Sequence, residues 1–171
     1  MMNEFSSWHV GVSAEAYAAA IFARYGYDVS VQYGANQPEY DLIAVSGDKI
    51  LKISVKGSKD GAWGLTTKYK KGHDYYDAVD AWLNAHHKKT VFCLVQFKNV
   101  DINEMPRIYI ATPREIAERL KASAAGRGET ILFENHKWTD RAKAKGTVDK
   151  IPDEWKITPE RVERFFSKYG Q

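Results

Sequence analysis

At 171 residues, with 44% hydrophobic and 27% charged positions, the chain suits one globular domain with a core of its own. A single cysteine excludes an internal disulfide, and the absence of a basic, apolar leader or a run of about twenty apolar residues argues against secretory and membrane-spanning classes, so a cytoplasmic protein without a membrane partner is expected. The formal net charge of +3 permits nucleic-acid binding without demanding it.

In chain order, residues 13–25 read as an Ala-rich helix stopped at Gly26. Glu15 lies near its start, with Ala18, Ala19 and Phe22 following at helical spacing. Its carboxylate therefore belongs to an inward stripe; the alternative is a first-turn acid favoured by the helix dipole. Residues 28–33 alternate Val29, Val31 and Tyr33 with polar partners, as a half-exposed strand does, and the loop 34–38 breaks them.

Residues 39–56 read as two strands around Gly47-Asp48, a two-residue turn in which Gly supplies positive φ. With Ser46 opposite Lys49, period-two alternation pairs Val45 with Ile50, Ile43 with Lys52, Asp41 with Ser54 and Glu39 with Lys56. Leu42, Ala44, Leu51, Ile53 and Val55 then form an apolar face for a helix, and Asp41, Ser54 and Lys56 gather at the open end of the hairpin. On the residues alone, this patch reads first as a solvated sheet face with one ion pair. Glu39 is expected to pair with Lys56, and stands in reserve as a second acid.

The stretch 57–72 reads as a glycine-punctuated lip with a short strand near residues 63–67. Lys59, Lys68, Lys70 and Lys71, with Trp63 and Tyr69 between them, suit phosphate contacts and base stacking. A second basic run, 137–150, includes Arg141, Lys143 and Lys145; both runs also fit a solvated surface. Asp74 caps a helix reaching His87, and adjacent His86 and His87 diverge by about 100°, a poor arrangement for one metal ion.

Residues 90–97 make a buried central strand that gives the sheet a mixed character, with Cys93 as a structural thiol. A strand over 107–111 leads to a helix opened by the capping box of Thr112 and Glu115, with Pro113 at its first position, running to about Ala122. Residues 130–133 suggest a late edge strand, and Thr158 caps a final helix through Val162, Phe165 and Phe166. No repeat or linker divides the chain, so one domain, 1–171, is expected, with a core over about 12–122 and a C-terminal elaboration over about 123–171.

A helix bearing Glu15, then a strand, an Asp41-bearing strand, a turn, and a strand ending Ser54-Val55-Lys56 resembles the PD-(D/E)xK nuclease superfamily, which includes restriction enzymes and Holliday-junction resolvases. The match covers about the first half of the chain, and Ser54 stands where that family usually has Glu or Gln. The resemblance implies an α/β fold with a restriction-endonuclease-like core, a central mixed β-sheet flanked by helices. It implies Mg²⁺ or Mn²⁺, weakly bound, on Asp41, the Val55 backbone carbonyl and Glu15, with Lys56 orienting a water. Nucleic acid, DNA before RNA, is the implied partner, and a homodimer follows where two cuts need two sites. The rival expectation is a non-enzymatic module of the same fold binding nucleic acid or a protein; a third is an unrelated α/β protein. Triad, phosphate-loop and zinc signatures are absent from the sequence.

Overall fold

The computed structural model describes residues 3–32, 39–72, 74–140 and 142–171. The predicted strand end at Tyr33, the loop 34–38 and Arg141 lie outside them. The first helix, α1 (Ser7–Arg24), begins six residues before the predicted start. Ser6 caps it by accepting from the His9 amide at 3.4 Å, and His9 Nδ1 accepts from the Ser6 amide at 3.2 Å. Histidine thus takes the place usually held by Glu or Gln in a capping box. The edge strand β1 (Asp28–Val31) leads to the hairpin of β2 (Leu42–Ser46) and β3 (Lys49–Ser58), turned at Gly47 with φ of +62°. The hairpin register is the predicted one, from Ser46 opposite Lys49 to Leu42 opposite Ile53.

Short β4 (Ala62–Trp63) precedes α2 (Tyr75–Asn84), whose cap Asp74 accepts from the Asp77 amide at 2.7 Å. The fully buried β5 (Val91–Gln96) runs parallel to β3, as a connection through a helix permits, and antiparallel to β6 (Arg107–Ala111). The central sheet has the order β1-β2-β3-β5-β6 and is mixed, as expected. Helix α3 (Pro113–Ala122) carries the predicted capping box and proline. The late strand β7 (Leu132–Phe133) does not edge the central sheet: it pairs with β4 in a separate ribbon. A second small ribbon joins β8 (Asn135–Lys137) to β9 (Val148–Lys150), and Thr158 caps α4 (Pro159–Tyr169).

Helices cover both faces of the sheet. On one, Ala14, Ala18 and Phe22 of α1 and Val162, Phe165 and Phe166 of α4 pack on the apolar side of the hairpin. On the other, Val79 and Trp82 of α2 and Ile116 and Leu120 of α3 pack on Phe92 and Leu94. The alternation of β5 serves both layers at once, which is why its sequence is an unbroken apolar run. Cys93 belongs to the α1 side, where burial pushes its thiol up to about 12 and keeps it an unreactive core residue. Among the described residues no helix is long and apolar enough to cross a membrane.

Candidate functional site

The site is built on a close approach between α1 and the end of β3. A Cβ added to Gly57 would lie 2.8 Å from Val10 Cγ1, 2.9 Å from Ala14 Cβ and 2.9 Å from the Val10 carbonyl oxygen. Glycine therefore lets the helix rest on the strand backbone. That contact carries Glu15, the residue after Ala14, to the open end of the hairpin. Burial raises the Glu15 carboxyl above its ordinary value, the Asp41 charge raises it further, and Lys56 pulls it back. Glu15 thus lies within electrostatic reach of two other residues singled out in sequence, an acid on β2's approach and an amine on β3.

Asp41 and Lys56 are each fixed by a hydrogen bond from a neighbouring element. Asp41 donates its amide to the Ile53 carbonyl at 2.8 Å, and its Oδ2 accepts from the Val55 amide at 2.6 Å. A carboxylate accepting a partly buried N–H is a charge-assisted bond and orients the side chain strongly. Val55 itself is buried against α1. The Lys56 carbonyl accepts from Trp63 Nε1 at 3.0 Å, while the Lys56 side chain is exposed. The indole holds the backbone at Lys56, and the side chain stands in solvent.

Ser54 and Glu39 differ from expectation. Ser54 does not line an open polar patch: it is 2% exposed, paired beside Phe92 on the face that α2 and α3 cover. The hairpin alone suggested a solvated face, but the parallel neighbour β5 and the helical layer close over it. A glutamate placed there would have to enter the core. Glu39 does not mirror Lys56 across the ladder, because the ladder stops at Leu42 and the chain leaves the strand. Its carboxylate instead accepts from the His87 amide at 2.9 and 3.1 Å, tying the segment after α2 to the start of β2.

The lip is also more tightly built than its glycines suggest. Trp63 is 3% exposed and inside the core, so it is no stacking platform. Thr66 donates its amide and hydroxyl to the Thr130 carbonyl at 3.3 and 3.2 Å. Behind it, Glu134 accepts from Arg107 Nε at 2.8 Å and from the Tyr109 hydroxyl at 2.7 Å. Burial alone would raise the Glu134 carboxyl; these two hydrogen bonds hold it below the ordinary value. Of the lip cations, Lys59 donates to the Phe5 carbonyl at 2.6 Å, Lys68 lies over the Tyr69 ring at 5.2 Å, and Lys70 lies over Tyr75 at 4.7 Å. Lys71 is exposed. The second basic run is organised by buried Asp149, which accepts from Trp138 Nε1 at 2.7 Å and pairs with Arg119 at 2.9 Å.

Asp41 and Glu15 offer hard carboxylate oxygens, and among the described residues no three His, Cys, Asp or Glu side chains gather as a metal cluster. Two acids and no more suit Mg²⁺ or Mn²⁺, which keep waters and share phosphate oxygens. Gly57 is a supporting residue that sequence reasoning missed, and Trp63, expected to stack on bases, supports the site from the core instead. The signal for the first was a glycine inside a strand.

The raised Glu15 carboxyl has a consequence for stability. A carboxyl whose folded-state value exceeds its unfolded one favours the fold below the unfolded value and loses that contribution as pH rises through the folded value. Glu15→Gln should therefore stabilise the protein at neutral pH and not below the carboxylate range. The gain stays under about 0.5 kcal/mol because the group is only part-buried and solvent screens it. Thermal melts of both proteins across pH check it. In comparisons with known proteins, no family model and no curated protein sequence matches this chain.

Proposed function

We propose that the protein is a metal-dependent phosphodiesterase of the PD-(D/E)xK type acting on nucleic acid, DNA before RNA, on a restriction-endonuclease-like core. The observation that supports this most is the seating of α1 on Gly57, which sets Glu15 beside the end of the hairpin where Asp41 is held by the Val55 amide and Lys56 is exposed, with Glu15 raised by burial and then by Asp41. A carboxyl raised by burial beside a second acid and an amine is an arrangement that sites for chemistry share with structural ion pairs. In this reading, Asp41 and Glu15 hold Mg²⁺ or Mn²⁺, and Val55 contributes its carbonyl. The ion supplies Lewis acidity toward the phosphoryl oxygens when bound. Lys56 orients the attacking water and offsets charge that develops on the phosphoryl group. Asp41 is pre-positioned by its bond to the Val55 amide, which limits reorganisation during the reaction.

Purified protein incubated with linear, single-stranded and branched substrates should cleave at least one class with Mg²⁺ or Mn²⁺ and none in chelator. Binding without cleavage under every ion would favour a second reading, a nuclease-fold module that only binds. The specific support for that alternative is Ser54, which brings a buried hydroxyl where an acid would oppose the ion's charge. Either reading uses the lip. Changing Lys68, Lys70 and Lys71 together to Ala should reduce the slope of log affinity against log salt by about 2 to 3. An unchanged slope would remove the lip from the phosphate path.

A further inference from the structure

His9, Ser13 and Tyr17 follow one another on α1 at four-residue spacing and share one face of the helix. That face and the turn after β5 wall a groove of about 830 Å³, a size that takes a small ligand or an inserted side chain. Its floor is aromatic. Phe97 meets Phe5 edge to face, with ring centroids 5.6 Å apart, and meets Tyr17 at 5.8 Å with the rings tilted by 60°. The backbone beneath is fixed: the Phe97 amide donates to the Ser58 carbonyl at 2.7 Å, and the Phe97 carbonyl accepts from the Val100 amide at 3.1 Å.

The rim is acidic. Glu4, Asp101 and Glu104 line it, and none of the three makes an ion pair among the described residues. No Lys or Arg is among the described residues that line the groove. Lys59 is held on the Phe5 backbone carbonyl at 2.6 Å, and Lys98 lies against Gly61, where an added Cβ would meet its Nζ at 3.3 Å. The lining base, His9, is engaged through Nδ1 in capping α1. In a chain of net charge +3, this groove is therefore a local reversal of sign. Ring faces and carboxylates both attract cations, and the two together suit a flat one, since a guanidinium stacks on a ring while its N–H fork meets a carboxylate. Ile102, 85% exposed, stands on the same rim and offers an apolar contact beside the charge.

We propose that this groove receives an arginine side chain of a partner protein, with the guanidinium against the Phe5, Tyr17 and Phe97 rings and an apolar neighbour of that arginine on Ile102. The proposal does not rest on the phosphodiesterase reading, and the acidic rim turns nucleic acid away from this face. A second copy of the chain fits poorly. A two-fold dimer through the groove would set the three carboxylates against their own copies, and a head-to-tail contact with a basic face does not close.

The probe is a capped pentapeptide, Gly-Leu-Arg-Leu-Gly, added to isotopically labelled protein while amide shifts are followed. The amides of Ser13, Tyr17, Val100 and Ile102 should shift together. Citrulline in place of arginine keeps the shape without the charge and should weaken binding by about 10-fold, and lysine should also bind less tightly. Glu4→Gln, Asp101→Asn and Glu104→Gln combined should weaken the arginine peptide by about 10-fold with the melting temperature unchanged, because the Gln carbonyl still accepts from the residue 101 amide as Glu104 does at 3.2 Å. Equal affinity for the arginine peptide and either counterpart overturns the proposal. Shifts centred on other residues, or none at millimolar peptide, do the same. A wild-type dimer in sedimentation that the triple variant loses assigns the groove to a second copy and also overturns it.

Discussion

Asp41→Asn is expected to lower Mn²⁺ affinity by at least about 100-fold, since a change behind a metal ligand costs 10- to 100-fold and this change removes a ligand's charge. The fold should survive. The asparagine carbonyl can still accept from the Val55 amide, the bond that Asp41 Oδ2 makes at 2.6 Å. Asp41→Ala cannot, and leaving that N–H unpaired beneath α1 should cost about 1–3 kcal/mol. The pair of variants separates charge from hydrogen bonding. In Asp41→Asn the Glu15 carboxyl should also fall toward its ordinary value, because the Asp41 charge is one of the influences that raise it. Calorimetry with Mn²⁺ and a carboxyl titration by NMR read the two effects. Equal Mn²⁺ affinity in wild type and Asp41→Asn would take Asp41 out of the site.

Gly57→Ala should damage both the fold and the site. The added Cβ meets Val10 Cγ1 at 2.8 Å, which a rotamer change could relieve. It also meets the Val10 carbonyl oxygen at 2.9 Å, which only a movement of the helix can relieve. Overpacking of this kind costs about 1–3 kcal/mol, or roughly 2–4 °C of melting temperature per kcal/mol at this chain length. The helix that must move carries Glu15. Displacing a reacting group by about 1 Å can cost on the order of 100-fold in rate, so the variant should lose activity out of proportion to its stability. A variant with wild-type melting temperature and wild-type Glu15 titration would show that α1 does not lean on β3 as described.

Most of the fold could be read from local chemistry. The hairpin register followed from Gly47-Asp48 and the alternation on either side, because a one-residue slip would turn Leu42, Ile53 and their neighbours outward. The caps at Asp74, Thr112 and Thr158 marked three helix starts. The start of α1 was missed because Gly11 interrupts its pattern and the capping partner is His9, an unusual residue for that role. What stayed hidden in the site was tertiary. The burial of Ser54 depends on Phe92 and on the helices behind it, none of which the hairpin contains. Trp63 looked like a stacking residue among lysines, yet it turns inward to hold the Lys56 carbonyl.

The central claim is that Glu15 and Asp41, beside Lys56, hold a divalent cation. Substoichiometric Mn²⁺ added to isotopically labelled protein tests it directly, because the paramagnetic ion broadens only the signals near it. The account predicts that the amides of Asp41, Val55 and Lys56 and the Glu15 carboxyl broaden first, and that Asp41→Asn abolishes the effect. Broadening centred elsewhere, or none at these four residues, would contradict it.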